Sequence, residues 1–215
     1  MRASSIRIYD ELVDNIVKGK FKPGTVLKED ELASLFNVSR TPIREALIRL
    51  EREGIAIKSG KSYIIIPLTG NDVLMLYEAR APLEAYAAKL AASRATSVEI
   101  NEMASIIEQV KKESLKDDPD PVLLADLNGE FHDLIAKSSQ NKYIGEMLNS
   151  IRLKLKIVRV TLFSSYQRRT DELREHEAIF EAIRDRKPDD AFNNALNHVY
   201  SVAEYVKTNV LPLLF

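Results

Sequence analysis

The 215-residue chain balances 31 Lys/Arg against 32 Asp/Glu, is 45% hydrophobic by residue and contains no cysteine. Its length suits two modest domains and its apolar content excludes a disordered chain; lack of cysteine excludes disulfides, thiolate zinc sites and cysteine catalysis. No apolar run nears the ~18 residues of a membrane span and "MRASSIRIYDEL" lacks a signal-peptide core, so a cytoplasmic address without a membrane partner is expected.

In residues 5–19, Ile8, Leu12 and Ile16 recur at helical spacing with Val13 and Val17, and Gly19 and Pro23-Gly24 end the pattern. The stretch "KEDELASLF" predicts a short second helix burying Leu32, Ala33, Leu35 and Phe36, and "NVS" closes it. The few residues before the next helix match the spacing of a helix-turn-helix. In that third helix Thr41 suits the N-cap, Pro42 the first helical position and Gly54 the stop. Ile43, Ala46, Leu47 and Leu50 then form an apolar stripe, with Glu45, Ile48, Arg49 and Arg52 turned away from it. Ser39, Arg40, Thr41 and Arg44 gather at the helix start, where free N–H groups and the positive dipole end favour phosphate; they are expected to read DNA, with Arg49 on the outward face joining them.

The next segment, "IAIKSGKSYIIIPL", is two β-branched runs around a Ser-Gly-Lys-Ser turn, a hairpin with Lys61 at its tip. Helix, short helix, basic helix and hairpin make a winged helix-turn-helix domain over residues 1–68. This stretch carries 12 Lys/Arg against 9 Asp/Glu, leaving 19 against 23 for the remainder. Lys61 is placed to reach phosphate or the adjacent minor groove.

From Asp72 to the C-terminus only helical periodicity is found, with breaks at Thr96-Ser97, "KDDPDP", Gln140-Asn141, about Arg169-Thr170, and Lys187-Pro188. Helices near 72–94, 97–115, 121–138, 141–166, 170–186 and 188–211 predict an all-α bundle, residues 72–215, making the whole chain mainly α. No phosphate-cradling glycine loop, HExxH or nucleophile elbow occurs. Every histidine lies in this bundle. His176 falls mid-stripe with Leu173, Phe180 and Ile183, and His132 and His198 fall at the edges of their stripes, with Asn128 one turn before His132. A half-buried histidine is ordinarily a core residue, but three turned inward from three helices suit a divalent ion such as zinc, nickel or manganese. Arg80 and Glu84 occupy the middle of one apolar face, either as a structural i, i+4 pair or as part of a pocket.

The run from "IVKGKFKPGTVL" through "DELASLFNVSRTPIREALIRLEREG" to the Gly-Lys wing resembles the N-terminal domain of the GntR family of bacterial and archaeal repressors, over nearly all of residues 6–67. The resemblance implies that Ser39, Arg40, Thr41 and Arg44 contact operator DNA, as in the FadR-type subfamily. One departure is Asp30, which stands where the fatty-acid-responsive relative has an arginine. The segments "NGEFHDLIAKSSQN", "REHEAIFEAI" and "ALNHV" resemble the ligand segments of the FCD effector domain in its six-helix, VanR-like form. That resemblance implies a metal held by His132, His176 and His198, with Asn128 in place of the family's aspartate; Asp126 faces elsewhere. It also implies that Arg80, in "R-x-x-L-E", meets an effector carboxylate, with Arg152 and Arg159 as further candidates. The expected protein is a homodimeric, effector-responsive repressor binding a pseudopalindromic operator. A metal-free acyl-chain sensor and a metal-dependent enzyme are the alternatives.

Overall fold

The computed structural model describes the backbone of residues 2–162 and 166–214, and side chains over 5–155 and 168–212. The chain divides into two compact units, Met1–Thr69 and Gly70–Phe215.

In the first unit, α1 (Arg2–Val17) packs against α3 (Arg40–Arg52), and α2 (Glu29–Leu35) rests on α3. Ile8, Leu12 and Ile16 from α1 and Ile43, Ala46, Leu47 and Leu50 from α3 are buried, as the stripe requires. Leu35 departs from the expectation: α2 is only seven residues long, Leu32 fills its buried position, and Leu35 is 63% exposed. Asn37 turns the chain between α2 and α3 at φ 52°, a left-handed conformation that Asn tolerates. Helix α3 begins earlier than Thr41. Ser39 is the N-cap, extended at ψ 166° and making no side-chain cap bond, which places Arg40 and Thr41 inside the first turn. Pro42 is still harmless there, because the first four N–H groups of a helix have no partner within it.

The hairpin β2 (Ala56–Ser59) and β3 (Ser62–Ile65) turns through Gly60-Lys61, with Gly60 at φ 60° in the first loop position. A third strand, β1 (Val26–Lys28), pairs antiparallel with the outer edge of β3, giving the order β1-β3-β2. Three residues are too few to show a period of two, so the sequence signals only the hairpin.

The second unit is helical throughout its described residues: α4 (Gly70–Arg94), α5 (Ser97–Ser114), α6 (Pro121–Ser138), α7 (Lys142–Leu162), α8 (Tyr166–Arg184), α9 (Pro188–Tyr205) and α10 (Leu211–Leu214). The small side chains of Ala87, Ala88, Ala91 and Ala92 let α9 approach α4 closely, and Phe131, Ile135, Leu148, Ile179 and Ile183 complete the core. Thr96 and Glu99 form a reciprocal capping box at α5, and Asp120 caps α6 ahead of Pro121. Arg186, at φ 58°, donates to the carbonyls of Ala92 and Ala95 (3.1 and 2.7 Å) and so satisfies the end of α4.

Two boundaries differ from the sequence expectation. Helix α8 is already under way at Tyr166, four residues before the expected start; residues 163–165 lie outside those described. After α9 the helix widens into a π segment, Val206–Val210, directly before α10 with Pro212 in its first turn. Pro212 has no N–H to continue the i→i−4 pattern, which accounts for a register change there.

Candidate functional site

At the start of α3, Ser39, Arg40, Thr41 and Arg44 are all exposed, as is Lys61 at the hairpin turn. Arg40 is ion-paired to Asp30 (2.5 Å), and Arg44 grips Glu29 with Nε (2.9 Å) and Nη2 (2.7 Å). Two carboxylates of α2 therefore hold the two arginines in front of the helix terminus. Arg49 is engaged differently. Its guanidinium lies 3.7 Å from the centre of the Tyr9 ring and pairs with Glu53 at 3.0 Å, tying α3 to α1.

In the second unit the three histidines meet. His132 comes from α6, His176 from α8 and His198 from α9, all at most 3% exposed. His176 Nε2 lies 3.1 Å from His132 Nε2 and 3.3 Å from His198 Nε2, and the ligand atoms of the set all fall within 4.8 Å of one another. Phe131 packs 4.9 Å from the His176 ring and helps exclude water. The two edge positions expected for His132 and His198 are thus fully inside, because α4 and the neighbouring helices cover them.

Carboxylates orient two of the rings. His132 Nδ1 donates to Glu84 Oε2 (3.2 Å), and His198 Nδ1 donates to Glu175 Oε2 (2.7 Å). Those bonds fix the tautomers and turn both Nε2 lone pairs toward the centre, the arrangement that prepares imidazole to ligate a metal. His176 has one Nε2–H at most to share between two acceptors, so without an ion the centre is short of donors. Burial pushes His132 down to about 3 against the pull of Glu84, and burial with the neighbouring imidazoles pushes His176 well below its usual range. His132 and His176 are therefore held neutral, the form that binds metal. Asn128, 1% exposed, donates Nδ2 to the Leu124 carbonyl (2.7 Å) and leaves its buried Oδ1 without a hydrogen bond. An orphaned oxygen one turn before His132, on the helix that supplies one of the three convergent nitrogens, suits the oxygen ligand of a three-nitrogen, one-oxygen cation site. Asp126 is exposed.

Beside the histidines is a narrow cavity lined by Tyr77, Arg80, His132, Arg152, Glu172 and His198, with room for little more than a water molecule, about 10 Å³. Arg80 does pair with Glu84 at i, i+4 (Nε, 3.0 Å), yet the pair also belongs to a larger network. Arg152 donates Nε and Nη2 to the same Glu84 oxygen (3.1 and 3.0 Å), Nη2 to the His132 carbonyl (3.1 Å) and Nη1 to Asp133. Burial would raise the Glu84 carboxyl, but Arg152, His132 and Arg80 outweigh it and hold it well below the usual range. Glu175 likewise, raised by burial, is brought down to about 2 by hydrogen bonds from His198 and Arg168. Arg159 lies on α7 with its side chain outside those described.

Glu172, Glu175 and Arg168 were not anticipated. Arg168 and Glu172 fall eight and four residues before His176, on the same buried face of α8, a spacing that the sequence does display. Glu175 is different: adjacent to His176, it points to a neighbouring helix, and only the packing of α8 on α9 reveals its partner.

A winged helix-turn-helix with an arginine-bearing third helix, joined in one chain to a helical unit with a buried polar centre, defines the class of two-domain DNA-binding transcriptional regulators. The comparisons agree. The family of bacterial regulatory proteins, gntR family, matches residues 5–64, and the FCD domain matches residues 75–201. The chain belongs to the GntR family of transcriptional regulators and carries an FCD domain. It is similar to the uncharacterized HTH-type transcriptional regulator YdhC of Bacillus subtilis (strain 168), 30% identical over 94% of this chain and 90% of that one. It is also similar to the Nta operon transcriptional regulator of Aminobacter aminovorans, 34% identical over 83% of each. Among solved structures it shares the fold of E. coli McbR/YncC, with a TM-score of 0.78 at 17% identity, covering 94% of this chain and 96% of that one. The family membership sets aside the metal-dependent enzyme, and among the described residues no helix is long and apolar enough to cross a membrane.

Proposed function

We propose that this regulator is a homodimeric repressor whose FCD domain binds one divalent ion through His132, His176, His198 and Asn128 and senses a small organic acid at that ion. The observation that carries the reading is the convergence of three imidazoles, two of them oriented by Glu84 and Glu175, with an orphaned Asn128 oxygen one turn before His132. Zinc, nickel or manganese would suit a nitrogen-rich site with one oxygen.

The charges support an anionic effector. Around the histidines Arg80, Arg152 and Arg168 offset Glu84, Glu172 and Glu175, with the exposed Asp133 also on Arg152, so most of the ion's charge is left for the effector to meet. Arg80 and Arg152 line the cavity, and Arg80 would receive the carboxylate. The cavity's small size speaks against an acyl-chain sensor, which requires a long apolar channel. Its present volume also implies that the acid enters by moving a wall, and that movement is the means by which binding alters the reading of DNA. On the DNA side, Ser39, Arg40, Thr41 and Arg44 would meet base edges and phosphate of a pseudopalindromic operator, and Lys61 the phosphate beside the wing; Arg49, held on Tyr9 and Glu53, contributes least.

Calorimetry on chelator-treated and metal-reloaded full chain tests the site. Binding of one ion per chain, lost in His176→Ala, is expected. Equal acid binding with and without metal, and in His176→Ala, would make the histidines ordinary core residues.

A further inference from the structure

The cavity beside the histidines contains one group that neither the ion nor the carboxylate of an effector would satisfy. Glu172 is 5% exposed, lines the cavity together with Arg80, Arg152, His132 and His198, and its Oε2 accepts no hydrogen bond among the described residues. The nearest cation is Arg168 Nε at 3.5 Å, too long for a good hydrogen bond. None of the arginines around the cavity makes a good hydrogen bond to that oxygen. Arg168 gives Nη1 and Nη2 to Glu175 (3.3 and 2.7 Å) and Nη1 to Ser201 (3.0 Å). Arg152 gives its donors to Glu84, Asp133 and the His132 carbonyl, and Arg80 gives Nε to Glu84. A buried carboxylate oxygen without a donor is costly, and a ligand that brings the donor removes that cost on binding. Glu172 also lies outside the set of ligand atoms within 4.8 Å, so it faces what occupies the cavity rather than completing the ion's own coordination.

We propose that Glu172 makes this site selective for acids bearing a hydrogen-bond donor next to the carboxylate, that is, α-hydroxy or α-amino acids over the corresponding simple carboxylic acids. Resting on the acid-sensing reading, it adds the second functional group of the effector. The carboxylate goes to the cationic side of the cavity, Arg80 and the ion held by the histidines. The hydroxyl or ammonium group donates to Glu172 Oε2, in place of the single water for which the cavity has room. A simple acid leaves that oxygen unpaired after expelling the water, and sites built around a buried hydrogen-bonding group reject ligands that lack the matching one.

The test is calorimetric titration of the metal-loaded full chain with two series on fixed skeletons: propionate, lactate and alanine, then succinate, malate and aspartate. In the parent protein the hydroxy and amino members are expected to bind roughly 10-fold or more tightly than the unsubstituted acid of their series. In Glu172→Gln the amino acids should lose most of that advantage, since the carboxamide cannot match an ammonium charge. The hydroxy acids should keep part of it through the Gln carbonyl, and the unsubstituted acids should change by no more than about 2-fold. The parent series decides the matter even where the variant folds poorly. If unsubstituted acids bind as tightly as their substituted partners, the role of Glu172 is refuted while acid sensing stands. If no member of either series binds, acid sensing falls and this inference with it.

Discussion

Glu84 accepts from Arg152, Arg80 and His132 at once, so each of those side chains has a structural duty whatever else it does. Removing one partner of such a buried network leaves an uncompensated charge. Arg152→Ala is therefore expected to destabilise the FCD domain by about 3–5 kcal/mol, readable as a shifted denaturant midpoint, whereas Arg152→Lys should recover part of the loss. A change of less than about 1 kcal/mol would mean that Glu84 is neutralised by other means. Asn128 makes the opposite kind of prediction. Asn128→Asp places a carboxylate one turn before His132 and should tighten metal binding, measured by competition with a chelator, while weakening the attraction for an anionic effector. Weaker metal binding in that variant would show that Asn128 Oδ1 does not reach the ion. At this scale the sequence was informative where chemistry repeats at helical spacing. His132, His176, His198 and Asn128 could be brought together from their faces, and Arg80 with Glu84 from i, i+4. Glu175 could not, because its partner His198 is 23 residues away and depends on how two helices pack.

Helix α3 is the element whose polarity was most legible: Pro42 near its start, Gly54 after its end and a four-residue apolar stripe leave little choice of buried face. Its first residue was less legible, since Ser39 and Thr41 are both good N-caps by type and the backbone chose Ser39. That placement puts Arg40 in the first turn, so Arg40→Ala or Arg44→Ala should reduce discrimination between operator and random DNA by about 1–3 kcal/mol per lost base contact. Lys61→Ala should instead lower both affinities alike and reduce the salt slope by about one unit. Equal loss on operator and random DNA for both arginines would remove them from base reading. In the FCD domain the Thr96–Glu99 capping box gives a separate test of the fold: Thr96→Ala should cost about 1 kcal/mol of stability without affecting metal binding, checked by thermal melting with and without ion. β1, Leu35 and the π segment escaped the sequence reading because three strand residues, a seven-residue helix and a proline-induced register shift each lie below the length at which periodicity speaks.

For the whole molecule, the GntR reader and the FCD domain were recognisable from short motifs, and the two-unit division follows the same composition break. What sequence could not supply was the size and lining of the cavity, which arise from five helices, α4, α6, α7, α8 and α9, meeting. The account requires that the ion stabilise the chain and couple to operator affinity. A ligand that binds only the folded state at 1,000 times its Kd adds about 4 kcal/mol, so metal-loaded protein should melt well above chelator-treated protein, and His176→Ala should not respond.

Coupling is reciprocal: an acid that changes operator affinity must itself bind differently to DNA-bound and free protein. The decisive measurement is operator affinity of the full chain, by fluorescence anisotropy at fixed salt, with and without an acid that calorimetry has shown to bind, in metal-loaded, chelator-treated and His176→Ala proteins. Metal-centred sensing predicts that the acid shifts operator Kd by about 5–150-fold in the metal-loaded protein and leaves the other two unmoved. An equal shift in all three, or none in the metal-loaded protein, would contradict metal-centred acid sensing.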